Sequence, residues 1–256
     1  MRLIPFVLAA VTLLVPRFAT AQEWIEYVNK QDLFSVNFPH EPKIETITYQ
    51  SAQGAPLPGR VYTASSGSSK FTMTVIDYSR IEEIQQEMVK KCPPDAHMTC
   101  RGTGPDGPSG SGYSKLDKAG AYDWATWHII ERGSKITQFQ WTFVDYIMGR
   151  WIHTTNADGS RTYDALHMHD DRLYWMTATV PKGYPEPGIF HQSLHIIDEK
   201  GVPIRYNALY MNGYPKPTRA GQGGGGAAER NLFAGQGWWR WCRKEPFCGV
   251  GSSLRA

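Results

Sequence analysis

The histidines are the residues of this chain whose spacing could support chemistry. His167 and His169 lie two positions apart in a segment that alternates like a strand, so their side chains should share one face. His191 and His195 lie four positions apart, which is the spacing of neighbours on one helix face. Imidazole is a common ligand of Zn²⁺, Cu²⁺ and Ni²⁺. If the two pairs converge, the four side chains could form a metal site, which makes a metal-binding protein or metalloenzyme one hypothesis.

The helical pair also has an alternative interpretation without a metal. At helical spacing the apolar side chains near the two histidines fall together on one side of the helix, and these are Ile189, Phe190, Leu194, Ile196 and Ile197. If that side packs on a sheet, His191 and His195 face water and point away from the strand pair. A histidine on a solvated face needs no ligand. Both interpretations stay open at this stage, and the sequence implies no cofactor.

A second group of residues that could bind a partner lies near the C-terminus. It alternates tryptophan with arginine: Trp238, Trp239, Arg240, Trp241 and Arg243. Tryptophan and arginine are frequent anchors in protein interfaces, and tryptophan rings also stack on sugars. If this tail is exposed, it predicts a contact surface, including a polysaccharide or cell-wall binder. The alternative is that the tail folds back over an apolar groove or a sheet edge of its own domain.

The four cysteines fall into two close pairs. Cys92 is followed by Cys100, and Cys242 by Cys248. In an exported protein an even number of cysteines favours disulfides, and local pairing would contribute roughly 2–3 kcal/mol for each loop. A zinc site is the alternative, but the spacings are wider than the two to four residues that zinc ligands usually have. We therefore expect two local disulfides.

The N-terminus has the pattern of a secretory signal peptide over residues 1–21. Arg2 precedes an apolar run from Leu3 to Val15, and Ala19 to Ala21 provide a small-residue cleavage site. The run is shorter than a membrane-spanning helix, so no stable membrane insertion is expected. Cleavage removes two of the 27 basic residues and none of the 24 acidic ones, which leaves 25 against 24 and a net charge of +1. The sequence predicts a secreted or periplasmic protein that does not bind nucleic acid.

Strands should form most of the body of the protein. Phe34, Val36 and Phe38 share one face of a short strand, and the Asp158-Gly159 turn predicts a hairpin that contains the two strand histidines. The aromatic side chains mostly occupy alternating strand positions, as core residues do. Among them are Phe139, Trp141 and Phe143.

Two helices and a linker complete the organisation that the sequence predicts. The first helix covers residues 79–92, with Ser79 and Glu82 as a capping box. The second runs from Pro187 to His195. One α+β domain should therefore cover residues 22–210, followed by a flexible glycine-rich linker over 211–230 and the tryptophan-rich, disulfide-containing tail over 231–256.

Three segments resemble PsbP/Mog1-like domains of bacterial secreted proteins. Residues 32–42 (DLFSVNFPHEP) are similar to the opening hairpin of that group, residues 172–180 (RLYWMTATV) to a core strand, and residues 188–197 (GIFHQSLHII) to the helix before a final strand. The resemblance implies an antiparallel sheet with packed helices in an α/β/α sandwich-like arrangement. It assigns no site residue, because members of the group differ widely in role.

No motif in the chain specifies a reaction: it has no phosphate-binding loop, nucleophile elbow or HExxH sequence. The sequence therefore favours a non-catalytic exported module. Its expected partner is an unknown protein or another component of the cell envelope.

Overall fold

The computed structural model describes residues 24–91, 111–212 and 214–221. The predicted signal peptide, the four cysteines and the tryptophan-rich tail lie outside the described residues, as does half of the predicted glycine-rich linker (213 and 222–230). The secretory signal, the disulfides and the contact surface of the tail therefore stay predictions.

Ten strands and four helices form the described part of the chain. The strands are β1 (Ile25–Asn29), β2 (Phe34–Phe38), β3 (Lys43–Gln50), β4 (Pro56–Ser66), β5 (Ser69–Asp77), β6 (Lys135–Val144), β7 (Ile147–Thr155), β8 (Arg161–His169), β9 (Arg172–Val180) and β10 (His195–Ile196). The helices are α1 (Ile81–Lys90), α2 (Ser111–Ala119), α3 (Ala121–Glu131) and α4 (Gly188–His191).

The strands form one large and one small sheet, and all neighbouring strands within them are antiparallel. The large sheet has seven strands in the order β3-β4-β5-β9-β8-β7-β6, and the small sheet has three in the order β1-β2-β10. The pairing of β5 with β9 joins an N-terminal meander to a C-terminal one. This arrangement confirms the α+β class with an antiparallel sheet.

The two faces of the large sheet are covered by different layers. Helix α3 packs on one face, where Ala125 and Ile129 join the same core as Ile152 and Leu166. The small sheet and α4 pack on the other face, with the ring centres of Phe34 and Tyr62 5.1 Å apart. This second layer is mainly a sheet, whereas the α/β/α arrangement implied a helical layer there.

The capping box predicted for the first helix is not formed. Helix α1 begins at Ile81, and Arg80 occupies the N-cap position without a side-chain hydrogen bond. The backbone N–H of Ser79 instead donates to Oδ1 of Asp77 at 2.8 Å. The prediction was wrong because the end of β5 holds Ser79 in a turn one residue before the cap position.

Helices α2 and α3 occupy a region that the sequence did not predict as helical. Residues 121–131 (AYDWATWHIIE) are apolar around most of the helix, so they lack the alternation of polar and apolar faces that reveals a surface helix. Ala125 and Ile129 are buried, while Trp127 and Ile130 on another face are exposed. The apolar residues on the exposed face hid the helical period.

The helix predicted from Pro187 to His195 is much shorter than expected. Helix α4 ends at His191, and His195 begins β10, which pairs with β2. The hydroxyl of Ser193 explains the change of direction, since it donates to the Phe190 carbonyl oxygen and accepts from the Asn37 N–H, both at 2.8 Å. His191 and His195 therefore do not share a helix face.

The predicted hairpin at Asp158-Gly159 is confirmed. It joins β7 to β8, and Gly159 adopts a φ of 80°, a left-handed conformation that glycine accepts without strain.

The folded body continues beyond residue 210, where the sequence placed the start of a linker. Ala220 N–H donates to the Arg205 carbonyl oxygen at 2.7 Å, and Tyr206 forms a bridge with Arg219. No helix in the described ranges is long and apolar enough to cross a membrane.

Candidate functional site

The two strand histidines lie, as predicted, on one face of β8. Both are buried beneath the small-sheet side. Nε2 of His169 lies 2.8 Å from the hydroxyl oxygen of Tyr206. His167 lies opposite Gly149 on β7, and this glycine is required because a Cβ there would come within 2.3 Å of the His167 ring.

The other two predicted histidines lie in separate surroundings. His191 is buried, and its Nε2–H donates to the Tyr163 carbonyl oxygen at 3.0 Å. The alternative interpretation, in which His191 faces water, does not hold, because α4 turns the side chain onto the large sheet. His195 is partly exposed, with its Nδ1 3.0 Å from Oδ2 of Asp145.

Burial keeps the inner histidines neutral near pH 7. It lowers the pKa of His167 to about 4 and the pKa of His191 to about 4. It also lowers the pKa of His169 to about 4, although the charge of Asp170 acts in the opposite direction. These histidines behave as packed core residues that avoid protonation.

One further buried histidine, which the sequence analysis did not single out, lies close to Tyr163 and His191. His153 of β7 has its ring centre 4.6 Å from that of Tyr163 and 6.2 Å from that of His191. In the described ranges, no group of three or more His, Cys, Asp or Glu side chains is placed so that it could hold a metal ion. Nothing in this geometry favours the shared metal site.

A groove of about 450 Å³ lies on the opposite face of the large sheet, beyond the end that α3 covers. We call it the threonine groove. Its lining residues are Ile47, Tyr49, Lys70, Thr72, Thr74, Ile76, Arg132, Thr162, Trp175, Thr177 and Thr179.

Strand alternation and register place the threonines in this groove. Thr72 pairs with Thr177 across β5 and β9, and Lys70 pairs with Thr179. The hydroxyl oxygens of Thr162 and Thr179 lie 3.0 Å apart on β8 and β9. Five threonine hydroxyl groups therefore line this part of the sheet face. In most antiparallel sheets such a face is either packed with apolar residues or exposed to water.

Asp164 of β8 lies beneath this groove and organises three of its residues. Its side chain is fully buried. Oδ1 accepts hydrogen bonds from Trp175 Nε1 at 2.8 Å and Thr177 Oγ1 at 2.7 Å. Oδ2 accepts from Arg132 Nη1 at 2.9 Å. Burial raises the pKa of Asp164, whereas the Arg132 charge and these hydrogen bonds lower it.

Two cations, Lys70 and Arg132, line the groove, and none of the described lining residues is acidic, although Asp164 beneath the groove pairs with Arg132. The Arg132 guanidinium carbon lies 5.2 Å from the Trp175 ring centre, so a cation and an aromatic face stand side by side. Sequence reasoning missed this site because its residues come from distant strands and only the sheet register brings them together.

A second candidate surface lies at the β6 edge of the large sheet. Four large apolar side chains there lie on one face of the strand and are exposed by 40–56%; we call Ile136, Phe139, Trp141 and Phe143 the aromatic edge. The alternation of the three aromatic residues is confirmed. Their assignment to the core was wrong, because α3 is too far towards the centre of the sheet to cover the outermost strand.

Arg150 of β7 connects the aromatic edge to α3. Its guanidinium carbon lies 5.3 Å from the ring centre of Phe139 and 4.8 Å from that of Trp141. Nη1 donates to Asp123 at 2.9 Å and to Thr126 at 2.7 Å. The two aromatic side chains are therefore held against a buried, anchored cation rather than left as isolated surface residues.

Comparisons with known proteins give a resemblance at the level of the fold. No family model matches the chain, and no curated protein matches it. The solution structure of cyanobacterial PsbP (CyanoP) from Synechocystis sp. PCC 6803 is similar to 70% of this chain and 95% of its own, with 9% identity and a TM-score of 0.36. This agrees with the resemblance to PsbP-like domains stated above.

Proposed function

We propose that this protein is an exported, non-catalytic module that binds a protein partner or supports an assembly in the cell envelope. The observation that carries the proposal is the aromatic edge, where three aromatic side chains of one edge strand are each more than half exposed. Aromatic residues and arginine are enriched in the buried centres of protein interfaces.

The backbone of β6 supports the same proposal. Among the described residues β6 pairs only with β7, so its outer edge presents unpaired N–H and C=O groups. Proteins usually protect such edges with charged residues or proline, but β6 has a single charged residue, Lys135, and no proline over ten positions. An extended partner segment could add a strand here and cover the aromatic side chains.

A site-specific crosslinking experiment tests the surface. A photoreactive p-benzoylphenylalanine replaces Trp141, and in a matched variant it replaces Gln140, which is exposed on the other face of the same strand. We expect a discrete adduct in the envelope fraction of the source cells from position 141 and much less from position 140. Equal labelling at both positions, or no adduct at either, contradicts the proposal.

Export is supported by the sequence of residues 1–21 and needs its own test. The full chain is expressed in the source cells, and the intact mass of the protein from the envelope and medium is measured. We expect a mature N-terminus at Gln22. A cytoplasmic protein that retains residues 1–21 contradicts the export proposal.

A further inference from the structure

The threonine groove combines features of a ligand site that the proposed partner surface does not use. We infer that it binds a small organic anion, namely a carboxylate attached to an apolar ring or chain. The groove volume of about 450 Å³ lies in the range of small-molecule pockets, which is roughly 300–1,000 Å³.

Arg132 is the first group that points to a carboxylate. A guanidinium has five N–H donors in a planar fork that matches a carboxylate. In the described part of the chain, Asp164 accepts from Arg132 through Nη1. This bond and the Trp175 ring hold the guanidinium in place, so the donors that remain are oriented before a ligand arrives.

Lys70 is the second cation, and its charge is not cancelled by a lining carboxylate. The nearby Glu45 is bound to Lys43 at 2.6 Å, and the pKa of Glu45 is lowered mainly by that bond, with a smaller effect from Lys70. An anion that contacts both Lys70 and Arg132 would therefore meet two cations, of which Arg132 is partly neutralised by Asp164 beneath the groove and Lys70 faces no carboxylate of the described lining.

The rest of the lining explains why an apolar body should accompany the anionic group. The half-buried Ile47 and Trp175 contribute hydrophobic surface to the same groove, while the threonine hydroxyls can donate to or accept from polar substituents. A simple inorganic anion would leave the apolar surface uncovered.

The buried Asp164 indicates that the residues around it form an organised site. An ionised carboxylate with no exposure is unfavourable unless several donors compensate it. Here the three donors are all side chains that line the groove: Arg132, Trp175 and Thr177. Asp164 is therefore a positioning residue that fixes the cation, the indole and a hydroxyl relative to one another.

The test uses 2-naphthoate and its uncharged analogue 2-naphthamide with the mature chain. Isothermal titration calorimetry is expected to show one site with submillimolar affinity for the carboxylate and at least tenfold weaker binding of the amide, because charge-assisted hydrogen bonds are the stronger ones. The inference is overturned by no binding of 2-naphthoate up to about 5 mM, or by equal binding of both compounds.

Three variants locate the site. Arg132→Gln and Lys70→Gln should each weaken 2-naphthoate at least tenfold and 2-naphthamide much less. Lys200→Gln, which removes an exposed cation in the turn after β10 and outside the lining, should leave both affinities unchanged. Lys70 lies on the groove surface, so Lys70→Gln keeps the test valid if Arg132→Gln fails to fold, as judged by circular dichroism. Unchanged 2-naphthoate affinity in Lys70→Gln, or the same loss in Lys200→Gln, overturns the assignment.

Discussion

Acid should destabilise this protein through its buried histidines, and His191 is the best one to test. Its pKa falls from an ordinary 6.5 to about 4 because burial penalises the imidazolium. In the unfolded chain His191 takes up a proton between these pH values, whereas in the folded chain it stays neutral. The stability that depends on its neutral form is therefore fully present above pH 6.5 and is lost as the pH falls towards 4.

The size of this effect follows from the two pKa values. A difference of about 2.5 pH units corresponds to roughly 3 kcal/mol at about 1.4 kcal/mol for each unit. His167, whose pKa is also about 4 in the folded protein, adds a similar amount. Burial raises the pKa of Asp164, so this carboxyl favours the folded state as the pH falls. The net change in the unfolding free energy of the wild-type protein on acidification therefore combines two opposing effects.

A comparison with His191→Gln isolates the contribution of one histidine. Glutamine can still donate to the Tyr163 carbonyl oxygen but does not titrate, while Asp164 acts equally in both proteins. Urea unfolding followed by circular dichroism at pH 7.0 and pH 4.5 should show a loss of unfolding free energy that is about 2–3 kcal/mol smaller in the variant. Ile196→Val, a nearby core change without a titratable group, should lower the unfolding free energy equally at both pH values. The same pH-dependent loss in His191→Gln as in the wild-type protein would refute the reasoning.

Three further predictions concern residues that position the core and the groove. Gly149→Ala should lower the unfolding free energy by about 2 kcal/mol or more in urea unfolding, because the new Cβ would lie 2.3 Å from the His167 ring and 2.4 Å from a backbone oxygen; an unchanged midpoint would contradict the close approach. Asp164→Asn should lower the thermal midpoint and also weaken 2-naphthoate, since it loses charge-assisted acceptance from Arg132; an affinity equal to that of the wild-type protein would contradict its positioning role. Ser193→Ala should cost about 1 kcal/mol by leaving an N–H of β2 without its acceptor, measured by the same unfolding assay; no change would show that water replaces the hydroxyl at no cost.

The two candidate surfaces have different physical origins. The aromatic edge arises because the large sheet is wider than the helix layer, so β6 is left uncovered. The threonine groove arises because α3 covers only one end of the sheet face, and polar residues occupy the other end. A module of this kind would bind a macromolecule on one surface and a small anion on the other. The crosslinking variants at Gln140 and Trp141 test the first surface, and the variants of Arg132 and Lys70 test the second.

The sequence by itself determined the local features of this protein that depend on short-range periodicity. The strand at Phe34–Phe38, the hairpin at Asp158-Gly159 and the shared face of His167 and His169 follow from alternation and turn chemistry, which act within a few residues. The α+β class followed from the same signals.

Only the tertiary structure decided which side chains meet and which are covered. One of the two interpretations of the sequence placed His191 in water, but it lies in the core, because its surroundings depend on where α4 ends and which strand follows. Phe139 and its neighbours were expected in the core but lie at an open edge, because strand order is a long-range property. Asp164 accepts hydrogen bonds from Arg132 and Trp175 only because the sheet register and the position of α3 bring the three residues together. Contacts of this kind join residues that are far apart in the chain, and no local pattern of residue types encodes them.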